Sequence, residues 1–282
     1  MNDNVNSIIV GMSRAGTSFL YHNLKKHPQI FLPSRKEVCF FAHNYSKGIG
    51  WYDKFFADKQ NHHIGIDICG VYFTDDLTIN RIIKLKDNIK IILCVRDPYD
   101  WIYSFYEQYS TNFKMPIFNE FITAGREIER EGKTINIDFR NNKISKRIQE
   151  YMEHFKGRIM IYDYSAFEEE PLDILSEIEK FLAIDKWFDK SNFNNKRINA
   201  SGRSKFRFFS KLLQKKGVVD LILSIIPKSI IIKLRDKWEL SEAKNITKID
   251  FKKKFSKQDN HLVLKSFSKD HEFYKKIFSD KK

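Results

Sequence analysis

The sequence predicts an α/β fold with a mostly parallel central sheet, helices on both faces and a C-terminal helical extension. Short apolar runs alternate along the chain with segments whose apolar residues recur at helical spacing. This alternation favours right-handed crossovers between parallel strands. The hydrophobic fraction of 42% and the charged fraction of 30% are typical of a globular chain. We therefore predict a single domain over residues 1–282, with an α/β core over 1–204 and a helical extension over 205–282.

The first predicted unit is a strand at 7–10, a loop containing Gly11 and Gly16, and a helix that ends before Pro28. The remaining predicted elements are strands at 64–68, 89–95 and 158–162 and helices at 77–85, 99–109, 139–155 and 171–182. The run at 89–95 is continuously apolar, as in strands buried on both faces. Pro98 suits the first turn of the helix that follows. Beyond about residue 203, Lys-rich helical segments form the predicted extension.

The chain is strongly basic, with 50 Lys and Arg residues against 36 Asp and Glu residues and a net charge of +14. Such a surface attracts anions, including nucleotides, nucleic acids, acidic glycans and membrane faces. The sequence contains no RNA- or DNA-recognition signature, so a nucleic-acid partner is not predicted. An ordinary basic surface without a special partner is the alternative.

The cysteines, Cys39, Cys69 and Cys94, are widely spaced and form no C-x-x-C pattern. We predict small core residues rather than a disulfide framework, and no metal site. The N-terminus turns from polar residues directly into a strand, which is not the pattern of a signal peptide. The apolar segment 218–234 is interrupted by Pro227 and Lys228, so no transmembrane helix is predicted. The predicted location is cytoplasmic.

The loop after the first strand reads GMSRAGTS over residues 11–18 and has the frame G-x-x-x-x-G-x-S. Free backbone N–H groups and the dipole at a helix start favour an anion there, and Arg14 adds a positive charge. A Walker A loop would carry Lys where Thr17 stands, which disfavours a Mg²⁺-dependent nucleotide hydrolase. The predicted architecture is accordingly a P-loop-like three-layer sandwich.

A second motif, VRDPYDWIYSFY, follows the 89–95 strand and carries Arg96 and, eight residues later, Ser104. Together, the two segments resemble the sulfotransferases that use 3′-phosphoadenosine 5′-phosphosulfate (PAPS). GMSRAGTSFL is similar to their 5′-phosphosulfate motif, and VRDPYDWIYSFY is similar to their 3′-phosphate motif. The stretch from Glu37 to Tyr52 resembles the glycan branch, particularly the heparan sulfate O-sulfotransferases. Residues 199–204, NASGRS, resemble the Asn-x-Ser-Gly cofactor loop of bacterial members, and the resemblance covers about residues 6–210.

The resemblance implies sulfuryl transfer from PAPS to a hydroxyl or amine of a saccharide, including an acidic one, without a metal. Glu37 would be the general base, and Arg14 would stabilise charge on the leaving phosphate oxygen. The implied cofactor-binding residues are Arg14, Ala15, Gly16, Thr17 and Ser18 at the 5′ end, Arg96 and Ser104 at the 3′ phosphate, and Ser201, Gly202 and Arg203 in the later loop. From the residues alone, a solvated carboxylate beside Lys36 is the favoured explanation of Glu37, and the resemblance to the family motif reverses this preference.

One region departs from the family pattern. Ile68 and Cys69 stand where many members carry a Lys-Thr pair, and Gly70 stands where cytosolic small-molecule members place a catalytic His. The departure favours Glu37 as the base, with Asp67 in reserve, and removes one expected positive charge. The nearby pair of residues 62–63, His-His, is predicted to be a solvated loop.

Two other functions remain open. A small-molecule kinase with an altered loop would need ATP and Mg²⁺, and a basic glycan-binding module would need no chemistry. Thr17 in place of lysine speaks against the kinase, and two ordered anion motifs after two strands favour the sulfotransferase over the binding module.

Overall fold

The computed structural model describes residues 4–85, 87–112, 115–124, 127–130, 133–136, 138–141, 143–194 and 255–279. Its strands are β1 Ser7–Gly11, β2 Ile30–Phe31, β3 Ile64–Ile68, β4 Lys90–Val95, β5 Glu127–Arg130, β6 Lys133–Asn136 and β7 Ile159–Asp163. Five of them form a parallel sheet in the order β2-β3-β1-β4-β7. The antiparallel pair β5 and β6 forms a separate small sheet.

The strand order creates a crevice next to β1. The chain leaves β1 towards β2 and β3, whereas it leaves the neighbouring β4 towards β7. Adjacent strands whose connections run in opposite directions mark a topological switch point, and ligands of open α/β sheets bind there, at the carboxyl ends of the strands. The loops after β1 and β4, which carry the two predicted anion motifs, therefore meet at this crevice.

The helices include α1 Thr17–Leu24, α2 Ile49–Asp53, α3 Thr78–Leu85, α4 Pro98–Asn112, α5 Phe118–Ala124, α6 Lys143–His154, α7 Tyr164–Glu169, α8 Pro171–Leu182, α9 Lys257–Ser266 and α10 Ser268–Ser279. The strands and helices predicted in the core are all present, with ends shifted by a few residues. The predicted helix at 139–155, for example, spans Lys143–His154. Elements of two to seven residues, such as β2, α2 and α5, were not predicted because they are too short to show a period.

The core lies on both faces of β1 and β4, where Ile8, Ile9, Ile91 and Ile92 are fully buried. Such continuous burial explains why these strands are uniformly apolar rather than alternating. The predicted α/β three-layer class with a parallel sheet is confirmed.

The described end of the chain packs on this core. Helix α9 contacts α5, and α10 contacts α4 and α6. The Asp270 carboxylate accepts a hydrogen bond from the Ser145 backbone N–H at 2.8 Å, which satisfies a donor at the start of α6. The segment 205–254 of the predicted extension lies outside the described residues. Among those described, no helix is long and apolar enough to cross a bilayer.

Candidate active site

The loop after β1 is held by contacts from both neighbouring segments. The Met12 N–H donates to the Cys94 carbonyl on β4 at 2.8 Å, and the Trp101 indole N–H on α4 donates to the Ser13 carbonyl at 2.7 Å. Gly16 has a φ of 81° and directly precedes α1, and a Cβ there would lie 2.6 Å from the Phe167 ring. Only glycine combines this left-handed conformation with so little space. The loop is therefore pre-shaped, and it leads directly into the first turn of α1, whose N–H groups have no acceptor within the helix.

Two arginines from the two predicted motifs converge on this loop. The Arg14 Nε donates to the Ser104 Oγ at 3.1 Å, and an Arg96 Nη1 donates to the Arg14 carbonyl at 3.1 Å. Burial, together with the nearby Arg96 charge, lowers the pKa of Arg14 to about 10. Ser104 itself is 1% exposed. Two guanidinium groups and a buried hydroxyl from distant segments form a site that a bound anion would stabilise.

Lys36, which is not among the predicted site residues, also reaches α1. The Lys36 Nζ donates to the Ser18 Oγ at 2.7 Å. Ser18 is 8% exposed, and Lys36 is half-buried although the preceding Arg35 is exposed. The only sequence signal was the adjacency of Lys36 to Glu37, which equally suggested an ion pair between neighbours.

Glu37, the residue after Lys36, contacts the segment after β3. It has a φ of 39°, a conformation that is uncommon for residues other than glycine. Its Oε1 accepts from the Gly70 N–H at 3.4 Å, just after β3, and the side chain remains half-buried. Gly70 in turn packs tightly on the loop after β1, and a Cβ at residue 70 would lie 2.9 Å from the Ser13 Cα. A histidine base at residue 70 would therefore require the loop to move.

The family model described as "Sulfotransferase domain" matches residues 5–216, which contain both anion motifs and Glu37. The chain belongs to the sulfotransferase domain family. This confirms the predicted family and the predicted enzyme class.

Relatives from the glycan branch match the same region. The chain is 29% identical over 197 residues to the Xenopus tropicalis bifunctional heparan sulfate N-deacetylase/N-sulfotransferase 1. The alignment covers 64% of this chain and 22% of that protein. It is 28% identical over 182 residues to the mouse heparan sulfate glucosamine 3-O-sulfotransferase 5, which covers 62% of this chain and 52% of that protein. The chain thus spans about a quarter to a half of these relatives.

A solved sulfotransferase from Alicyclobacillus acidocaldarius shares the fold. It superposes with a TM-score of 0.55 at 16% identity, over 73% of this chain and 89% of that one. At this identity the likeness supports the three-layer architecture alone.

Asp67, the second candidate for the general base of this sulfotransferase, lies in a buried hydrogen-bond network. Its Oδ2 accepts from the Tyr52 hydroxyl at 2.8 Å and from the Tyr72 hydroxyl at 2.7 Å, and it is 1% exposed. Burial raises the pKa of Asp67 to about 6, although both tyrosine hydrogen bonds oppose the rise. Because Asp67 is engaged by two tyrosines and is not exposed, the half-buried Glu37 is the better candidate to contact an acceptor.

We expect Asp67→Asn to remove part of the pH dependence of stability. Because the native pKa is raised, the native state binds the proton more tightly than the unfolded state between about pH 4 and 6. The stabilisation present below this window is lost as the pH rises through it. A shift of about two units corresponds to about 3 kcal/mol of unfolding free energy. Asparagine keeps a carbonyl oxygen that accepts from both tyrosines.

Urea unfolding of wild type and Asp67→Asn at pH 4 and pH 7 measures this difference, with the exposed Asp58→Asn as control. An equal pH dependence of the unfolding free energy in wild type and Asp67→Asn would show that the pKa of Asp67 is not raised in the native state.

Cys39 and Cys69 meet beside the predicted base. Their Sγ atoms are 2.6 Å apart, and a Glu37 carboxylate oxygen lies within 4.8 Å of both. All three cysteines are free and buried, as predicted for core residues. Burial raises the pKa of the Cys69 thiol well above its ordinary value.

The remaining predicted site residues divide into two groups. Gly16 is the N-cap of α1, Thr17 and Ser18 begin the helix, and Ala15 directly precedes them, while their part in cofactor binding stays a prediction. Ser201, Gly202 and Arg203 lie outside the described residues, and their role stays a prediction. Of the two loop histidines, His62 is exposed and His63 is half-buried.

Proposed function

We propose that the chain transfers the sulfuryl group of PAPS to a hydroxyl or amine of a saccharide. The observation that carries the proposal is the convergence of Arg14, Arg96 and Ser104 at the switch point, beside the open start of α1. A donor with a 3′ phosphate and a 5′ phosphosulfate needs two anion sites, and our candidates are the start of α1 for the 5′ end and the pair Arg96 and Ser104 for the 3′ phosphate. The Ser13 Oγ, which is buried without a hydrogen-bond partner among the described residues, adds a donor at the same loop.

The chain's own residues then have distinct tasks. The loop amides with Thr17 and Ser18 would hold the 5′ end, whereas Arg96 and Ser104 would hold the 3′ phosphate. When bound, PAPS supplies an activated sulfuryl group. Glu37 accepts the acceptor's proton, and the guanidinium of Arg14 favours the negative charge that remains on the nucleotide. The transferred group carries less charge than a phosphoryl group, so these cations take the place of a metal.

The segment after Glu37 supports a saccharide acceptor. Tyr45 and Trp51 are half-buried aromatics, and Lys47 and Arg81 place their charges 4.4 and 4.8 Å from the Trp51 and Tyr45 ring centroids, respectively. Aromatic faces give sugars a flat apolar contact, and flanking cations attract carboxylate or sulfate groups. The named activities of the heparan sulfate relatives point the same way.

The deciding experiment is transfer of ³⁵S from labelled PAPS to acidic oligosaccharides, neutral oligosaccharides and a simple phenol. The proposal expects the saccharides to be sulfated, with acidic chains preferred. Preference for the phenol would overturn the acceptor class. Phosphoryl transfer from ATP with Mg²⁺ would instead support the kinase, and binding without any transfer would support the glycan-binding module. The cytoplasmic location stays a separate proposal.

We expect adenosine 3′,5′-bisphosphate to bind much more tightly than AMP, because only the former has a phosphate for Arg96. Arg96→Ala removes a charge-assisted contact of about 1.5–3 kcal/mol, which is about 10–150-fold in Kd. Calorimetric titration should show this loss for the bisphosphate and little change for AMP. The exposed Lys54→Met controls for net charge. Equal affinity of wild type for the two nucleotides would contradict the second anion site.

A further inference from the structure

Lys36 contacts the candidate phosphate loop, residues 11–18, from a segment that belongs to neither of the two anion motifs. Its ammonium donates to the Ser18 Oγ at 2.7 Å, at the second residue of α1. The N–H groups at this helix start already favour an anion, so Lys36 adds a full charge where the 5′ end of the donor is expected. This position differs from that of Arg14, whose Nε is directed to Ser104 in the second motif.

We propose that Lys36 is a second catalytic cation, which stabilises the negative charge on the oxygen that leaves with the nucleotide. The inference rests on the proposed function. It accounts for the charge that the chain lacks at the end of β3, where Ile68 is buried at 3% exposure in place of the lysine that the resemblance leads one to expect. The missing cation is thus replaced from the segment that precedes the base.

The step balances without a further reactant. The acceptor oxygen bonds to sulfur while the bond between sulfur and the bridging oxygen breaks. The electron pair of that bond stays on the 5′ phosphate of adenosine 3′,5′-bisphosphate, and the acceptor's proton passes to the Glu37 carboxylate. A fixed ammonium near the bridging oxygen is worth most as charge grows there. Lysine also offers three rotatable donors, whereas a guanidinium presents a fixed fork.

The backbone at Glu37 explains how neighbouring residues serve opposite sides of the reaction. With a φ of 39°, the chain turns sharply at this residue. Lys36 therefore reaches α1, while the Glu37 carboxylate reaches the Gly70 N–H after β3. One short segment would then place the cation on the nucleotide side and the base on the acceptor side.

The test compares Lys36→Met, Lys36→Arg and the exposed control Lys54→Met. Single-turnover transfer of ³⁵S from PAPS to the best saccharide gives the rate, and titration with adenosine 3′,5′-bisphosphate gives the Kd. We expect Lys36→Met to slow the step by about 100-fold, as for loss of one preorganised donor. The Kd should change less than about fivefold, because the loop amides and Arg96 still hold the phosphates. Lys36→Arg, which keeps the charge, should recover at least about tenfold of the lost rate.

The pH profile of the transfer rate distinguishes a catalytic role of Lys36 from a role in positioning Glu37. The acidic limb reports protonation of the base, so it should stay in place when Lys36 is replaced. A Lys36→Met rate within about threefold of wild type would overturn the inference, as would a loss confined to Kd or a displaced acidic limb. A wild-type chain that transfers no sulfur would overturn the proposed function itself, and the Lys36 assignment with it.

Discussion

Replacing Arg14 by alanine is expected to lower kcat/KM by about 10³–10⁵-fold. The guanidinium contributes a charge-assisted contact of about 1.5–3 kcal/mol to nucleotide binding, and loss of one preorganised donor to the transition state costs about 2.7–4 kcal/mol more. Both losses follow from the central position of Arg14, which joins Ser104 to the backbone that Arg96 contacts. Nucleotide titration and single-turnover kinetics measure the two parts separately.

The same substitution should not destabilise the nucleotide-free protein, although it weakens binding and catalysis. Burial and the Arg96 charge lower the pKa of Arg14 to about 10, which means that the charged side chain is disfavoured in the native state. The Tm of nucleotide-free Arg14→Ala should therefore not fall below that of wild type, while stabilisation by adenosine 3′,5′-bisphosphate is largely lost. Arg14→Lys keeps a cation and should retain more of the rate. Undiminished stabilisation of Arg14→Ala by the nucleotide would show that Arg14 is outside the binding site.

Glu37→Gln is expected to abolish transfer while nucleotide binding stays nearly intact. A hydroxyl is a weak nucleophile at neutral pH, and a positioned carboxylate that accepts its proton typically contributes about 10²–10⁴-fold to the rate. Glutamine keeps the size of the side chain and an oxygen that accepts from the Gly70 N–H, but it does not take the proton. The rate should collapse while the Kd for adenosine 3′,5′-bisphosphate stays within a few-fold.

The exposed Glu153→Gln on α6 is the matched control for this substitution. If Glu37→Gln keeps most of the activity, the base lies elsewhere and Asp67→Asn is the next variant to test. If Glu37→Gln loses the nucleotide instead, Glu37 supports the loop rather than the chemistry.

The phosphate loop and the second motif were predictable because their information is local. A buried strand shows as a continuous apolar run, and a glycine-bearing turn before a helix shows within eight residues. The resemblance to the sulfotransferases depended on these same short segments. The parallel sheet followed from alternation, and alternation is visible over the whole core without any knowledge of contacts.

Other parts of the site depend on the order of the strands. β1 lies between β3 and β4, so the loop after β1 meets Gly70 from one side and Arg96 from the other. Neither proximity is visible in the spacing of the residues along the chain. The short elements between α1 and β3 were missed for a related reason, since segments of two to five residues carry no measurable period.

By itself, the sequence determined the strand, loop and helix that begin the chain and both cation-bearing motifs, and its resemblance to the sulfotransferases made Glu37 the predicted base. Only the tertiary structure placed Lys36 on Ser18, Cys39 against Cys69, and Asp67 beneath two tyrosines. The physical reason is that these contacts join side chains from separate loops, whose meeting depends on the packing of the whole sheet and on the left-handed backbone at Glu37 and Cys39. Local sequence preferences specify neither the packing of the sheet nor these left-handed residues, because the surrounding fold must stabilise a left-handed conformation.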